Sequence, residues 1–143
     1  MLIVKYINTE EEYRAALEIR KKVFIEEQHV SRDEEIDEFE ESATHIIALW
    51  GEKIMGTARW RFTPEGVKLE RFAVLKSFRR QGIGKAMVEF ALKELEDYPI
   101  LYLNAQVKVI SFYEQFNFVG EGDIFFEANI PHQRMMYRKL DSD

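Results

Sequence analysis

Arg79, Arg80, Gly82, Gly84 and Lys85, gathered in the stretch Arg79-Arg80-Gln81-Gly82-Ile83-Gly84-Lys85, have the types and spacing to hold a pyrophosphate. A strand-like run over 67–75 leads into them. A helix-like run leads out, with Ile83, Met87, Phe90, Ala91 and Leu95 at helical spacing. The first turn of a helix carries backbone N–H groups without intrahelical partners and the positive end of the helix dipole, so it stabilises an anion. Glycines lack a Cβ and let that anion come close to the backbone. The flanking arginines and lysine add positive charge.

Two nucleotide-binding alternatives fail on residue identity. A Walker-A loop needs a hydroxyl after its Gly-Lys, and Ala86 follows Lys85 here. The dinucleotide fingerprint needs a third glycine, which is missing. What remains is Arg-x-x-Gly-x-Gly.

The elements that must position this turn can be read along the chain. Residues 2–7 read as a strand. Thr9 caps a helix, with Glu12 as its capping-box partner, and Tyr13, Ala16, Leu17, Val23 and Phe24 continue a helical stripe to about residue 28. A loop with a short turn follows, then strands over 43–50 and 54–62 joined by Gly51-Glu52. Thr63-Pro64-Glu65-Gly66 turns the chain into the strand 67–75, and the helix 81–97 comes next. A short strand over 100–104, a helix over about 107–116, a strand from Phe118, an irregular stretch over 127–133 and a last strand over 135–140 complete the order. That mixture implies an α/β fold, a sheet with helices on both faces.

Composition limits the function. The chain has 143 residues, enough for one domain spanning 1–143, and 46% hydrophobic content implies a folded globule. With no cysteine there is no disulfide, thiolate metal site or cysteine acyl-enzyme. The three histidines share no ligand spacing, so no metal is expected. Neither a signal peptide nor a membrane-spanning apolar run is present, which implies a cytoplasmic protein away from membranes. A net charge of −6 argues against nucleic-acid binding. Residues 26–41 hold nine acids and one arginine, a segment charge of −8 that reads either as solvated surface or as a field drawing in a cationic amine.

The glycine turn and the element order together resemble the GNAT family of N-acetyltransferases over essentially the whole chain. Phe112-Tyr113-Glu114-Gln115-Phe116-Asn117-Phe118 is similar to the family's second motif, and Asn104 ends the strand before it. Asn117 stands where the family has glycine; asparagine also accepts the left-handed conformation of a helix end. Val23-Phe24-Ile25-Glu26-Glu27-Gln28, Glu34-Glu35-Ile36-Asp37-Glu38, Ala43-x-His45, Ile130-Pro131-His132 and Met135-Met136 resemble a bacterial subgroup of unassigned substrate. The resemblance implies the acyl-CoA N-acyltransferase fold with a mixed central sheet. It implies direct transfer of acetyl from acetyl-CoA to a primary amine of a small molecule or peptide, and it is compatible with a homodimer. The alternatives are a module that binds acyl-CoA without catalysis, and a transferase of longer acyl groups.

By the same resemblance, the backbone of Phe72, Ala73 and Val74, the loop Arg79, Arg80, Gln81, Gly82, Ile83, Gly84 and Lys85, and Asn104 hold the coenzyme A thioester. Tyr113 becomes the acid for the departing thiolate, since a phenol with a pKa near 10 is protonated at neutral pH. Glu70 becomes the base, provided burial raises a pKa that starts near 4.3. Its surroundings depend on the 63–66 turn. A three-residue loop bulged at Gly66 sets Glu70 against Trp60, whereas a two-residue loop sets it against Arg59 and unfits it as a base. His45 and His132 are alternatives, because imidazole titrates near neutrality. A pocket containing Arg59 and Arg61 would favour an acceptor that also carries a carboxylate.

Overall fold

The computed structural model describes residues 1–139. The chain runs β1 (Leu2–Tyr6), α1 (Glu10–Arg20), α2 (Arg32–Glu35), β2 (Thr44–Trp50), β3 (Lys53–Thr63), β4 (Gly66–Val74), α3 (Ile83–Glu94), β5 (Leu101–Gln106), α4 (Ile110–Glu114), β6 (Phe118–Glu127) and β7 (Ile130–Tyr137). Seven strands form one sheet in the order β1-β2-β3-β4-β5-β7-β6. All pairings are antiparallel except β4 with β5.

The expected capping box starts α1: the Thr9 hydroxyl accepts from the Glu12 N–H while the Glu12 carboxylate accepts from the Thr9 N–H. The helix then widens into a π-helical segment over Lys21–Glu27. Consecutive residues Ile46 and Ile47 are both fully buried, so both faces of the sheet are covered. On one face Ile83, Met87, Val88, Ala91 and Leu95 of α3 join the main core. On the other, Ile19 and Val23 pack on Ala73. A Cβ on Gly56 would come within 3.1 Å of the Ile83 and Met87 side chains, so this mid-strand glycine lets α3 lie close on β3.

Two expectations are corrected. The stretch 127–133 is not irregular, because Ala128 and Asn129 form a two-residue hairpin that pairs Glu127 with Ile130 and starts β7 there. Both turn residues have positive φ, 50° and 63°, the requirement of the primed hairpin turn; without glycine the signal is muted. β7 also ends at Tyr137, and Leu140 lies outside the described residues. At the other hairpin Thr63 pairs with Gly66, so the loop is two residues and the bulge is absent. Gly66 (φ 142°) serves a close approach instead: a Cβ would lie 2.7 Å from the Ile100 carbonyl oxygen.

Candidate active site

The site begins where the sheet splits. β4 and β5 pair only from Val67–Leu101 to Leu69–Leu103, and beyond Leu69 the strands diverge. Within β4, Arg71 takes φ 59° and two residues bulge between the Arg59–Glu70 and Thr57–Ala73 pairs. The β5-facing edge of β4 thereby loses its ladder partner over Glu70–Val74, leaving backbone groups for a ligand. A cleft of about 750 Å³ fills the gap.

Most of the expected residues line this cleft: Phe72, Ala73, Val74, Arg79, Arg80, Gly82, Ile83, Gly84, Lys85, Asn104, Glu70 and Tyr113. Gln81 does not. Gly82 precedes the first turn of α3 with φ 82°, and a Cβ there would meet nothing within 4 Å, so the space beside the helix N-terminus is open. Gly84 is packed instead: its Cβ would come 3.3 Å from Phe112, which ties the loop to α4.

Arg79, expected to add positive charge for the anion, is engaged within the chain. Its Nε donates to the Val74 carbonyl at 2.9 Å, and its two terminal nitrogens grip Glu27 at 2.7 and 2.8 Å. It therefore braces the loop between β4 and the π-helical segment. Lys85 stands 3.9 Å from Glu89, with both side chains largely exposed. Arg80 is exposed as well.

Tyr113 is buried, with its ring edge-on to Phe72 of β4, Phe112 and Phe118 at 6.1, 5.1 and 6.0 Å between centroids. Its hydroxyl has no hydrogen-bond partner among the described residues and is not among the sealed polar atoms, so it opens to the cleft. Burial pushes the phenol above its ordinary pKa and keeps it protonated.

Glu70 is not the raised-pKa base expected of it. The two-residue loop sets it opposite Arg59, whose nitrogens reach its carboxylate at 2.5 and 2.6 Å. Burial alone would raise this carboxyl, but Arg59, Lys68, Arg61 and Arg71 outweigh it and hold the group below the usual range. His45 lies away from the cleft, its Nε2 2.9 Å from the Glu40 carbonyl. His132 lines the cleft. Its Nδ1–H donates to the Ile130 carbonyl at 2.7 Å, which leaves Nε2 as the acceptor of the neutral ring.

The acidic segment is divided: Glu26, Asp33, Glu34, Glu38 and Glu41 are exposed, as solvated surface would be, and the other four acids are paired. Glu35 is buried against Arg20, Glu40 bridges Arg20 and Arg59, Asp37 binds Arg59, and Glu27 binds Arg79. Four of the nine acids are thus structural counter-ions. Reversing the charge of Asp33 and Glu34, both exposed, should shift stability by no more than about 0.5 kcal/mol in urea unfolding, whereas reversal at Glu35 should prevent folding.

Sequence reasoning missed the wall formed by Phe24, Gln28, Lys68 and Gln106, where Gln106 donates to Gln28 across the cleft at 2.8 Å. Phe24 and Gln28 sit in and just after the π-helical segment, which breaks the 3.6-residue period, and Lys68 and Gln106 are strand residues whose facing depends on register. Among the described residues no group of acids and histidines is placed to hold a metal, and no helix is long and apolar enough to cross a membrane.

A split mixed sheet with a glycine-rich helix start in the split defines an acyl-CoA transferase fold. The family model for the acetyltransferase (GNAT) domain matches residues 7–139, and the chain belongs to that family of acyltransferases. A Bacillus subtilis (strain 168) relative described as the uncharacterized N-acetyltransferase YjcF is 39% identical over 130 residues, 89% of this chain and 93% of that one. The crystal structure of an acyl-CoA N-acyltransferase from Pseudomonas aeruginosa matches with a TM-score of 0.82 at 26% identity, covering 96% of this chain and 99% of that one. An aminoglycoside 6'-N-acetyltransferase complexed with coenzyme A shares the fold, with a TM-score of 0.76 at 16% identity over 97% of this chain and 99% of the other.

Proposed function

We propose that the protein is an N-acetyltransferase, a single domain that moves the acetyl group of acetyl-CoA directly to a primary amine of a small molecule or peptide. The observation that carries this reading is the continuous cleft from the open N-terminus of α3, along the freed edge of β4, to the Tyr113 hydroxyl. The residues present fit the donor. Open space at Gly82 beside unsatisfied N–H groups suits the pyrophosphate, and the freed β4 edge suits the amide-bearing arm.

Acetyl-CoA supplies the activated acyl group as a thioester. The N–H groups of the bulged β4 segment hold the acyl oxygen as negative charge grows on it. Tyr113 holds a proton for the departing sulfur. The proton of the attacking amine passes to His132 Nε2 or to water, since Glu70 stays ionised beside its cations. Aromatic packing of Phe72 against Tyr113 restricts water at the reacting carbon.

Release of free thiol from acetyl-CoA with a panel of amines tests the reading directly. No amine-dependent thiol, with acetyl-CoA shown to bind, would leave a binding module in place of an enzyme.

Acetyl-CoA at a hundredfold excess over its Kd should stabilise the protein by about 2.7 kcal/mol, seen as a rise of several degrees in Tm. Gly82→Val should abolish that rise, but it also strains a left-handed backbone position. Gly82→Asn tolerates the conformation and still fills the space, so it should keep the unliganded Tm and lose the shift. A full shift in both variants would remove the phosphate seat from α3.

A further inference from the structure

Arg59, Arg61, Lys68 and Glu70 form a square on one face of the β3–β4 hairpin, with Arg59 opposite Glu70 and Arg61 opposite Lys68. Three corners are cationic and one is anionic. Glu70 alone faces Arg59 at 2.5 Å, Arg61 at 3.2 Å and Lys68 at 3.4 Å. Arg59 is fully buried and is also bound by Asp37 and Glu40, so its charge is matched. Arg61 and Lys68 line the cleft with side chains 18% and 16% exposed, and they share what remains of one carboxylate.

Like charges directly opposite each other in a sheet are destabilising, and among the described residues Arg61 and Lys68 have Glu70 as their one carboxylate partner, which Arg59 also claims. The geometry leaves donors free for a ligand. Arg61 reaches Glu70 only through Nε, and its guanidinium lies on the Phe39 ring, 3.8 Å from the centroid. That stacking fixes its plane, while its two terminal nitrogens have no hydrogen-bond partner among the described residues and are not sealed in. A planar fork with its terminal N–H groups open matches a carboxylate. The acids across the cleft do not cancel this surplus: Glu35 and Asp37 are held by Arg20, Arg59 and Arg71, and Asp33 and Glu34 are exposed to solvent.

We infer that the acceptor carries a carboxylate beside its reactive amine, and that Arg61 and Lys68 seat that carboxylate. This rests on the acetyl-transfer reading of the same cleft and names its substrate class. The test compares kcat/KM for matched acceptors with and without a carboxylate: phenylalanine with phenethylamine, lysine with cadaverine, and γ-aminobutyrate with propylamine. A second arm titrates succinate and 3-phenylpropionate, which have no amine, into the coenzyme A-bound protein by calorimetry.

The carboxylate member of at least one pair should be preferred by about tenfold or more, the scale of one charge-assisted bond. That ratio should fall toward one in Arg61→Gln and Lys68→Gln, with the acetyl-CoA-induced Tm shift retained. Equal or better use of the decarboxylated member in every pair, or a ratio that survives both substitutions, overturns the assignment. If no amine is acetylated, the acetyl-transfer reading fails and calorimetry decides the seat. Carboxylate binding that is lost in Arg61→Gln supports it, and no binding by either carboxylate overturns it.

Discussion

Tyr113→Phe is expected to lower kcat by about 10²–10⁴-fold while leaving the Kd for acetyl-CoA nearly unchanged. The substitution removes one hydroxyl and keeps the ring, so the edge-on contacts with Phe72, Phe112 and Phe118 persist and the core is not opened. The lost hydroxyl faces the cleft without a partner among the described residues, so no hydrogen bond seen there disappears with it. Burial raises the phenol's pKa, and the proton is therefore held throughout the neutral range. The acidic limb of the rate profile should accordingly belong to another group, and it should keep its position in the variant. Single-turnover kinetics separates the chemical step from product release. Equal rates for that step in both proteins would return Tyr113 to a packing role.

The glycine turn proposed as the phosphate seat was legible because its requirements are local. Glycine at a positive-φ helix start, and an apolar stripe after it, are visible within a dozen residues. The capping box at Thr9 and the left-handed Asn117 (φ 70°) were legible for the same reason. What was not legible depends on register and on distant pairing. The difference between a two-residue and a three-residue loop at 63–66 decides whether Glu70 meets Arg59 or Trp60, and both readings fit the local residues. Arg79 looks like a phosphate ligand in sequence, yet its partner Glu27 is 52 residues away. The acidic segment is the clearest case. Composition marks it as surface, but Arg20 and Arg59 draw Glu35, Asp37 and Glu40 inward from two other elements. The Ala128-Asn129 hairpin shows a different limit, since a turn that demands positive φ was built from residues that rarely announce it.

That ion network is the basis of the second large effect. Arg59→Met should destabilise the protein by about 3–5 kcal/mol at neutral pH, the usual consequence of leaving buried charges without their partner. Arg59 is fully buried and serves Asp37, Glu40 and Glu70 together, so its loss takes the most buried cation from three carboxylates at once and leaves them to Arg71, Arg20, Arg61 and Lys68. Methionine fills much of the volume, which keeps the cavity contribution small. The pH dependence then separates charge from packing. Burial acts to raise the Glu40 carboxyl, but hydrogen bonds from Arg20 and Tyr13 and the charges of Arg20 and His45 outweigh it and lower its pKa from 4.5 to about 2. Asp37 and Glu70 are lowered too, with Arg59 a leading cause in each. A carboxylate whose folded pKa is depressed adds stability above its unfolded pKa and loses it as pH falls toward the folded value. The wild type should therefore weaken between about pH 4.5 and pH 2. In Arg59→Met the Asp37 and Glu70 carboxyls titrate nearer to, or above, their unfolded values while Arg20 and Tyr13 still hold Glu40 low, so the variant loses less over that range. Urea unfolding at a series of pH values should show the gap between the two proteins widest at neutral pH and narrowing below about pH 4.5. A gap below about 1 kcal/mol at pH 7, or one that does not change with pH, would mean that the arginine fills space and does not hold the acidic segment by charge.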